Sequence, residues 1–292
     1  MNKFKVSILS AIVLLVAFSV NAQVLPSVNS NSTAQNFKLV SKSMNREMPY
    51  QVILPANYET AKDKRFAVVY LLHGLFGHFN NWSEKTNLSE YAKNYEYILV
   101  MPEGNNGWYV DSVTVPNDRY ETYIADELIG EVDKKFRTIA DKQHRAIGGL
   151  SMGGYGALKF GIKYPDKFIL AGSFSGAVSI AGFKTKEELP ALVRNSVIAT
   201  FGDADSETKK SNDIFKIIAE MPKEKVAALP FLYLDCGTED ELGLLAANKQ
   251  FADVLTKQKV PHEFRQLPGK HNWKFWDSQV DEFLRIGKRF IK

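Results

Sequence analysis

The pentapeptide Gly149-Leu150-Ser151-Met152-Gly153 sets one serine between two glycines, directly after the apolar run Ala146-Ile147-Gly148. The small residues of Gly154-Tyr155-Gly156-Ala157-Leu158 follow, so the segment reads as strand, sharp turn and helix with the serine hydroxyl presented at the turn. A serine held this way attacks a carbonyl once a base removes its proton. The helix, expected to run to about Tyr164 before Pro165, would aim free N–H groups and a partial positive charge at the oxyanion that forms. A bare G-x-S-x-G arises by chance in roughly one chain in ten of this length at average glycine content, so its partners decide.

The base must be a histidine, and the chain has five. His271 lies in the loop Leu267-Pro268-Gly269-Lys270-His271-Asn272-Trp273, between the strand-like His262 to Leu267 and the C-terminal helix. A loop beyond the carboxyl end of a strand is where α/β proteins gather catalytic groups. His262 sits at the opposite end of that strand and His144 precedes the strand feeding the serine, so both are expected to face solvent. For the acid, the strand Phe231-Leu232-Tyr233-Leu234 opens into Asp235-Cys236-Gly237-Thr238-Glu239-Asp240-Glu241, with four carboxylates in one loop. Spacing does not choose among them: Asp235 fits a strand-end hydrogen-bonding role, and Glu239 or Glu241 fits a charge at the next helix N-terminus. The order nucleophile, acid, base is that of α/β-hydrolases and differs from both chymotrypsin-like and subtilisin-like proteases.

A second oxyanion donor is expected after an earlier strand. Phe66 to Leu72 is a continuous apolar run of the kind buried on both faces, and it ends in His73-Gly74-Leu75-Phe76-Gly77. The glycine lets the backbone turn its N–H groups inward, which assigns the oxyanion hole to the N–H groups of Leu75 and Met152. His73 is read as shaping this loop, with no part in proton transfer. Trp82, Trp108 and Tyr109 also follow strand ends and could form flat apolar walls for a substrate.

Four motifs together, Tyr70-Leu71-Leu72-His73-Gly74, Pro102-Glu103-Gly104-Asn105-Asn106-Gly107-Trp108-Tyr109, Gly149-Leu150-Ser151-Met152-Gly153-Gly154 and Cys236-Gly237-Thr238-Glu239-Asp240, resemble those of the esterase D family. The likeness spans residues 38 to 290. It implies an α/β-hydrolase fold, with a mostly parallel central sheet and helices on both faces. It also implies an activity among carboxylesterases, S-formylglutathione hydrolases, feruloyl and acetylxylan esterases and mycolyltransferases, with no cofactor. Carried over, the nucleophile falls on Ser151, the acid on Asp240 at the end of G-T-x-D, and the base on His271 in G-x-H-x-W. One departure is Glu103, where the family often has Asp.

The remaining chain fits such an enzyme. Strand-like segments at Tyr50 to Leu54, Glu96 to Met101 and Phe168 to Phe174 alternate with helical patterns. One helical pattern carries Ile124, Leu128, Val132 and Phe136, another Leu244, Asn248, Phe251 and Leu255, and a third Trp276, Val280, Phe283 and Leu284. The long connection from Ala177 to Leu229 carries helical pieces at Lys186 to Val193 and Asp213 to Met221, and could wall or cover the serine. Lys3 and Lys5, the apolar Val6 to Val20 and Val20-Asn21-Ala22 read as a Sec signal peptide over residues 1–22, implying export to the periplasm or medium. Its apolar run is short for a membrane span, so no stable membrane insertion is expected once it is removed. A Ser/Asn-rich lead-in over 23–36 and one esterase domain over 37–292 complete the organisation.

Removing the leader takes two lysines and no acid, lowering the formal charge from +4 to +2 and arguing against nucleic acid as a partner. Cys236 is the only cysteine, so no intrachain disulfide is possible, and a buried thiol is expected. No metal-ligand cluster or phosphate-binding glycine loop is apparent. Export favours an external ester, such as an acyl decoration on plant polysaccharide or a small-molecule ester, over intracellular S-formylglutathione. A thioesterase and an acyltransferase using the same residues are the alternatives. The sequence does not fix an oligomeric state.

Overall fold

The structure, a computed structural model, describes residues 34–292, so the expected leader and most of the lead-in lie outside the described residues. Eight strands form one sheet: β1 (Ala34–Ser41), β2 (Arg46–Ile53), β3 (Ala67–Leu72), β4 (Tyr97–Pro102), β5 (Arg145–Leu150), β6 (Leu170–Phe174), β7 (Phe231–Gly237) and β8 (His262–Leu267). Their spatial order is β1-β2-β4-β3-β5-β6-β7-β8. The six strands from β4 to β8 pair in parallel, while β2 joins β4, and β1 joins β2, antiparallel.

The central strands β3, β4 and β5 are buried along their whole length, because helices cover both faces. Alternate residues of β3 serve opposite layers. Val68, Tyr70 and Leu72 join the core beneath α3 (Met152–Lys163) and α6 (Leu244–Lys257). Val69 and Leu71 join the core beneath α1 (Asn81–Lys85) and the C-terminal α7 (Trp273–Phe290), whose Trp276, Val280, Phe283 and Leu284 all point inward. The chain leaves β3 for β4 on one side and returns to β5 on the other, so the loops after β3 and β5 diverge and open a crevice at the carboxyl edge.

Several expected elements are redrawn. The lead-in expected through residue 36 is already sheet from Ala34, and it escapes a hydrophobic pattern because Gln35, Asn36 and Lys38 on this edge strand face solvent or are half-buried. The helix carrying Ile124 and Leu128 is π-helical over Tyr123–Leu128 before becoming α2 (Ile129–Lys135), and Phe136 caps its end. In the long connection, Pro190 divides the expected helix into a 3₁₀ turn at Lys186–Glu188 and α4 (Ala191–Phe201). Farther on, α5 (Ile214–Ala219) starts where Asp213 accepts the N–H groups of Phe215 and Lys216.

Candidate active site

Ser151 occupies the turn between β5 and α3 with φ +52° and ψ −114°, a conformation that an L-residue holds only under constraint. The constraint comes from the next strand. The Ser151 N–H donates to Phe174 O at the end of β6 (2.9 Å), and its carbonyl accepts the N–H groups of Tyr155 and Ala177 (3.1 Å each). The flanking glycines are a packing need: a Cβ on Gly153 would run into the backbone carbonyls of Leu72 and His73, and one on Gly149 into the backbone of Gly153. Met152 opens α3, so its N–H has no partner within the helix.

The loops after β7 and β8 are zipped together by Thr238 N–H to Leu267 O (2.8 Å) and Glu239 N–H to Gly269 O (2.9 Å). This brings His271 to Asp240, with Nδ1 2.8 Å from Asp240 Oδ2, and leaves its Nε2 3.0 Å from Ser151 Oγ. With Nδ1–H donated to the carboxylate, the Nε2 lone pair faces the serine hydroxyl. The His271 backbone N–H donates to Glu241 Oε2 (3.1 Å), and its ring meets Trp276 edge-on, centroids 4.9 Å apart. The Asp240 side chain is fully buried, which by itself would raise its pKa. The hydrogen bond and charge of His271, with the N–H groups of Leu242 and Leu244, outweigh burial and hold the carboxyl below its ordinary value.

The other carboxylates of that loop fare differently. Because β7 runs on through Gly237, Asp235 falls inside the sheet, fully buried, and burial pushes its pKa well above the carboxylate range. Cys236 is buried too, its Sγ 3.7 Å from Asp240 Oδ2, and burial pushes the thiol up to about 12.

Across the crevice, His73 is buried and holds the loop after β3. Its Nδ1 donates to Gly74 O (2.7 Å), and its Nε2 lies 3.1 Å from Glu103 Oε1 and 2.9 Å from the Gly104 nitrogen. Gly74 O also accepts Gly77 N–H (3.0 Å). In a planar trans peptide the C=O and the following N–H point in opposite directions, so pinning Gly74 O fixes the direction of Leu75 N–H. Glu103 was missed as a structural hub: its carboxylate accepts the N–H groups of Gly104 (3.0 Å) and Asn105 (2.7 Å). Burial opposes its charge, but His73 and the N–H groups of Asn105 and Phe79 prevail and hold it at about 2.

Ser151, His271 and Leu75 line a cavity of about 640 Å³ at this edge. Of the three aromatics expected to wall it, Trp108 does so, anchored by Nε1 on Ser196 Oγ (3.1 Å). Trp82 and Tyr109 do not. Trp82 is wholly buried, donates Nε1–H to Leu72 O (3.2 Å) and packs edge-on between Phe174 and Trp273. Tyr109 is wholly buried and donates its hydroxyl to His73 O (2.9 Å). Both fill space beneath a loop, where an aromatic ring gains most from burial. Trp273, one position past Asn272, lines the cavity instead. Trp108 and Tyr109 both have positive φ (+52° and +57°), and the buried Lys159 of α3 secures them by donating to Tyr109 O (2.5 Å) and Glu121 Oε2 (2.7 Å). The long connection contributes a side wall through Ile180, Pro190, Leu192 and Val193.

A serine elbow after β5, an acid after β7 and a histidine after β8, on a mostly parallel sheet with helices on both faces, define an α/β-hydrolase fold. The Esterase family model matches residues 41–285, and the chain belongs to this esterase family. It is similar to an acetyl esterase of Caldicellulosiruptor saccharolyticus, 26% identical over 249 residues that cover 82% of this chain and 92% of the relative. Among solved structures it resembles a ferulic acid esterase at 30% identity and TM-score 0.76, covering 88% of this chain and 98% of that one. It also resembles a substrate-bound fluorophosphonate-binding serine hydrolase of Staphylococcus aureus, at 25% identity and TM-score 0.74, covering 87% and 97% of the two chains. The chain is a carboxylic ester hydrolase.

Proposed function

We propose that this esterase is an exported serine hydrolase that cleaves acyl esters of carbohydrates, acetyl or feruloyl, through an acyl-enzyme. The observation that carries the reading is the hydrogen-bonded chain from Ser151 Oγ through His271 to Asp240. His271, oriented by Asp240, takes the Ser151 proton as Oγ attacks the ester carbonyl. The N–H groups of Leu75 and Met152 receive the oxyanion. His271 then returns the proton to the leaving alcohol, and water hydrolyses the acyl-serine by the same route. The acetyl esterase relative and the ferulic acid esterase neighbour support the choice of acyl groups. Lys3, Lys5 and the apolar run from Val6 to Val20 support export.

The test is hydrolysis of methyl ferulate, acetylated xylan, p-nitrophenyl acetate and S-formylglutathione by wild type and Ser151→Ala. Serine-dependent turnover strongest on methyl ferulate or acetylated xylan is expected. Preference for S-formylglutathione, or turnover that survives loss of Ser151, would overturn the reading.

A further inference from the structure

Among the described residues, six large hydrophobic side chains are prominently exposed: Val40, Phe76, Val113, Val115, Leu192 and Leu242. Three of them, Phe76 (59% exposed), Leu192 (65%) and Leu242 (55%), line the cavity that holds Ser151 and His271. They come from three separate segments, the loop after β3, the first turn of α4 and the loop between β7 and α6. Scattered exposed apolar residues are ordinary, but three converging on one catalytic mouth are not.

Their backbones are set by local structure, and that of Leu242 by the Asp240 carboxylate itself. Phe76 has φ +60°, a backbone setting that glycine or asparagine adopts more cheaply, and its N–H is held by Asn106 Oδ1 (2.8 Å). A strained phenylalanine whose ring stays mostly in water contributes little to the protein's own core. Leu242 N–H is held by Asp240 Oδ1 (3.1 Å), the oxygen that His271 does not use. Leu192 stands on the opposite side of α4 from the buried Val197 and Phe201.

We infer that Phe76, Leu192 and Leu242 form an apolar collar that binds the part of the acyl group extending beyond the ester carbonyl, so that the enzyme selects acyl groups larger than acetyl. This rests on the serine-hydrolase reading above and narrows its substrate class to esters with an extended apolar acyl group, an alkyl chain or an aryl ring. Filling the collar removes water from three exposed side chains, a gain that acetyl is too short to collect.

The experiment compares methyl acetate, methyl octanoate and methyl cinnamate, which share one alcohol. They are assayed by titration of released acid with wild type, Ser151→Ala, Phe76→Ser, Leu192→Ser, Leu242→Ser, the triple variant, and Val40→Ser as an exposed apolar change on β1. Thermal midpoints establish that each variant folds. Wild type is expected to favour octanoate or cinnamate over acetate in kcat/KM. The triple variant should lower that ratio by about ten-fold or more, chiefly through KM, and Val40→Ser should leave it unchanged. Loss on octanoate alone identifies an alkyl chain as the occupant, and loss on cinnamate alone an aryl ring. A ratio moving less than about two-fold in the triple variant overturns the collar while serine-dependent turnover stands. Absence of Ser151-dependent turnover on all three esters overturns the mechanism and the collar together.

Discussion

Asp240 meets His271 with one oxygen and its own loop with the other: Oδ2 lies 2.8 Å from His271 Nδ1, and Oδ1 accepts the Leu242 N–H at 3.1 Å. The carboxylate therefore cannot rotate without breaking a contact, and the imidazole is held in one tautomer. Asp240→Asn presents an amide N–H or a weaker acceptor to Nδ1, so kcat is expected to fall by about 10³ to 10⁴ with the fold unchanged. Steady-state kinetics with p-nitrophenyl acetate measures this, and a loss of less than ten-fold would mean that another group orients His271.

Asp235→Asn is expected to behave oppositely. Burial favours the neutral form of this carboxyl, which an amide of the same shape imitates, so turnover should change little. The linkage has a definite sign. A folded-state pKa above the unfolded 3.8 means that the native protein binds the extra proton, so this group's contribution to stability declines as pH rises above 3.8. Denaturation from about pH 4 to about pH 8 should show the variant gaining on wild type with rising pH. A variant that instead loses ground with pH would show the carboxylate to be charged in the native state.

Glu103 carries the reverse linkage. Its folded pKa of about 2 lies below the ordinary 4.5, so its stabilisation is complete above pH 4.5 and lost as pH falls toward 2. The shift corresponds to about 3 kcal/mol. Glu103→Gln should lower the urea midpoint at neutral pH and flatten its decline in acid. Equal acid sensitivity in both proteins would remove Glu103 as the hub of the loops after β3 and β4.

These contrasts mark what the sequence makes legible. The elbow around Ser151 and the strand His262–Leu267 are local patterns, set by neighbours a few residues away, and both are found where expected. Spacing alone does not choose Asp240 over Asp235, and the choice comes from the family resemblance; its physical reason is the length of β7, which exceeds its apolar run by three residues because Asp235, Cys236 and Gly237 still pair with Arg265, Gln266 and Leu267 of β8. Residue type and position after a strand do not say on which side of its loop an aromatic lies, and so Trp82 and Tyr109 were misplaced while Trp273 was overlooked. The exposed Phe76, Leu192 and Leu242 have meaning only together, and the fold brings them together although the first and last stand 166 positions apart.

Gly153→Ala tests the packing reason for the elbow. The added methyl group would meet the backbone carbonyls of Leu72 and His73, which belong to β3 and the loop that follows it and cannot swing aside. Destabilisation of about 1–3 kcal/mol is expected, with a larger fractional loss of kcat because the turn carrying Ser151 must move. Urea titration and kinetics on the same sample check this, and a variant matching wild type in both would mean that the turn has room to spare.

The central claim is that Ser151 carries the acyl group during turnover. The direct measurement is acid quenching of the enzyme during turnover of p-nitrophenyl acetate, followed by mass analysis of the peptide containing Ser151. One acetyl group on Ser151 in wild type, absent from Ser151→Ala and His271→Ala, is the result predicted. An unmodified Ser151 during rapid turnover, or acetyl on a different residue that appears equally in Ser151→Ala, would contradict it.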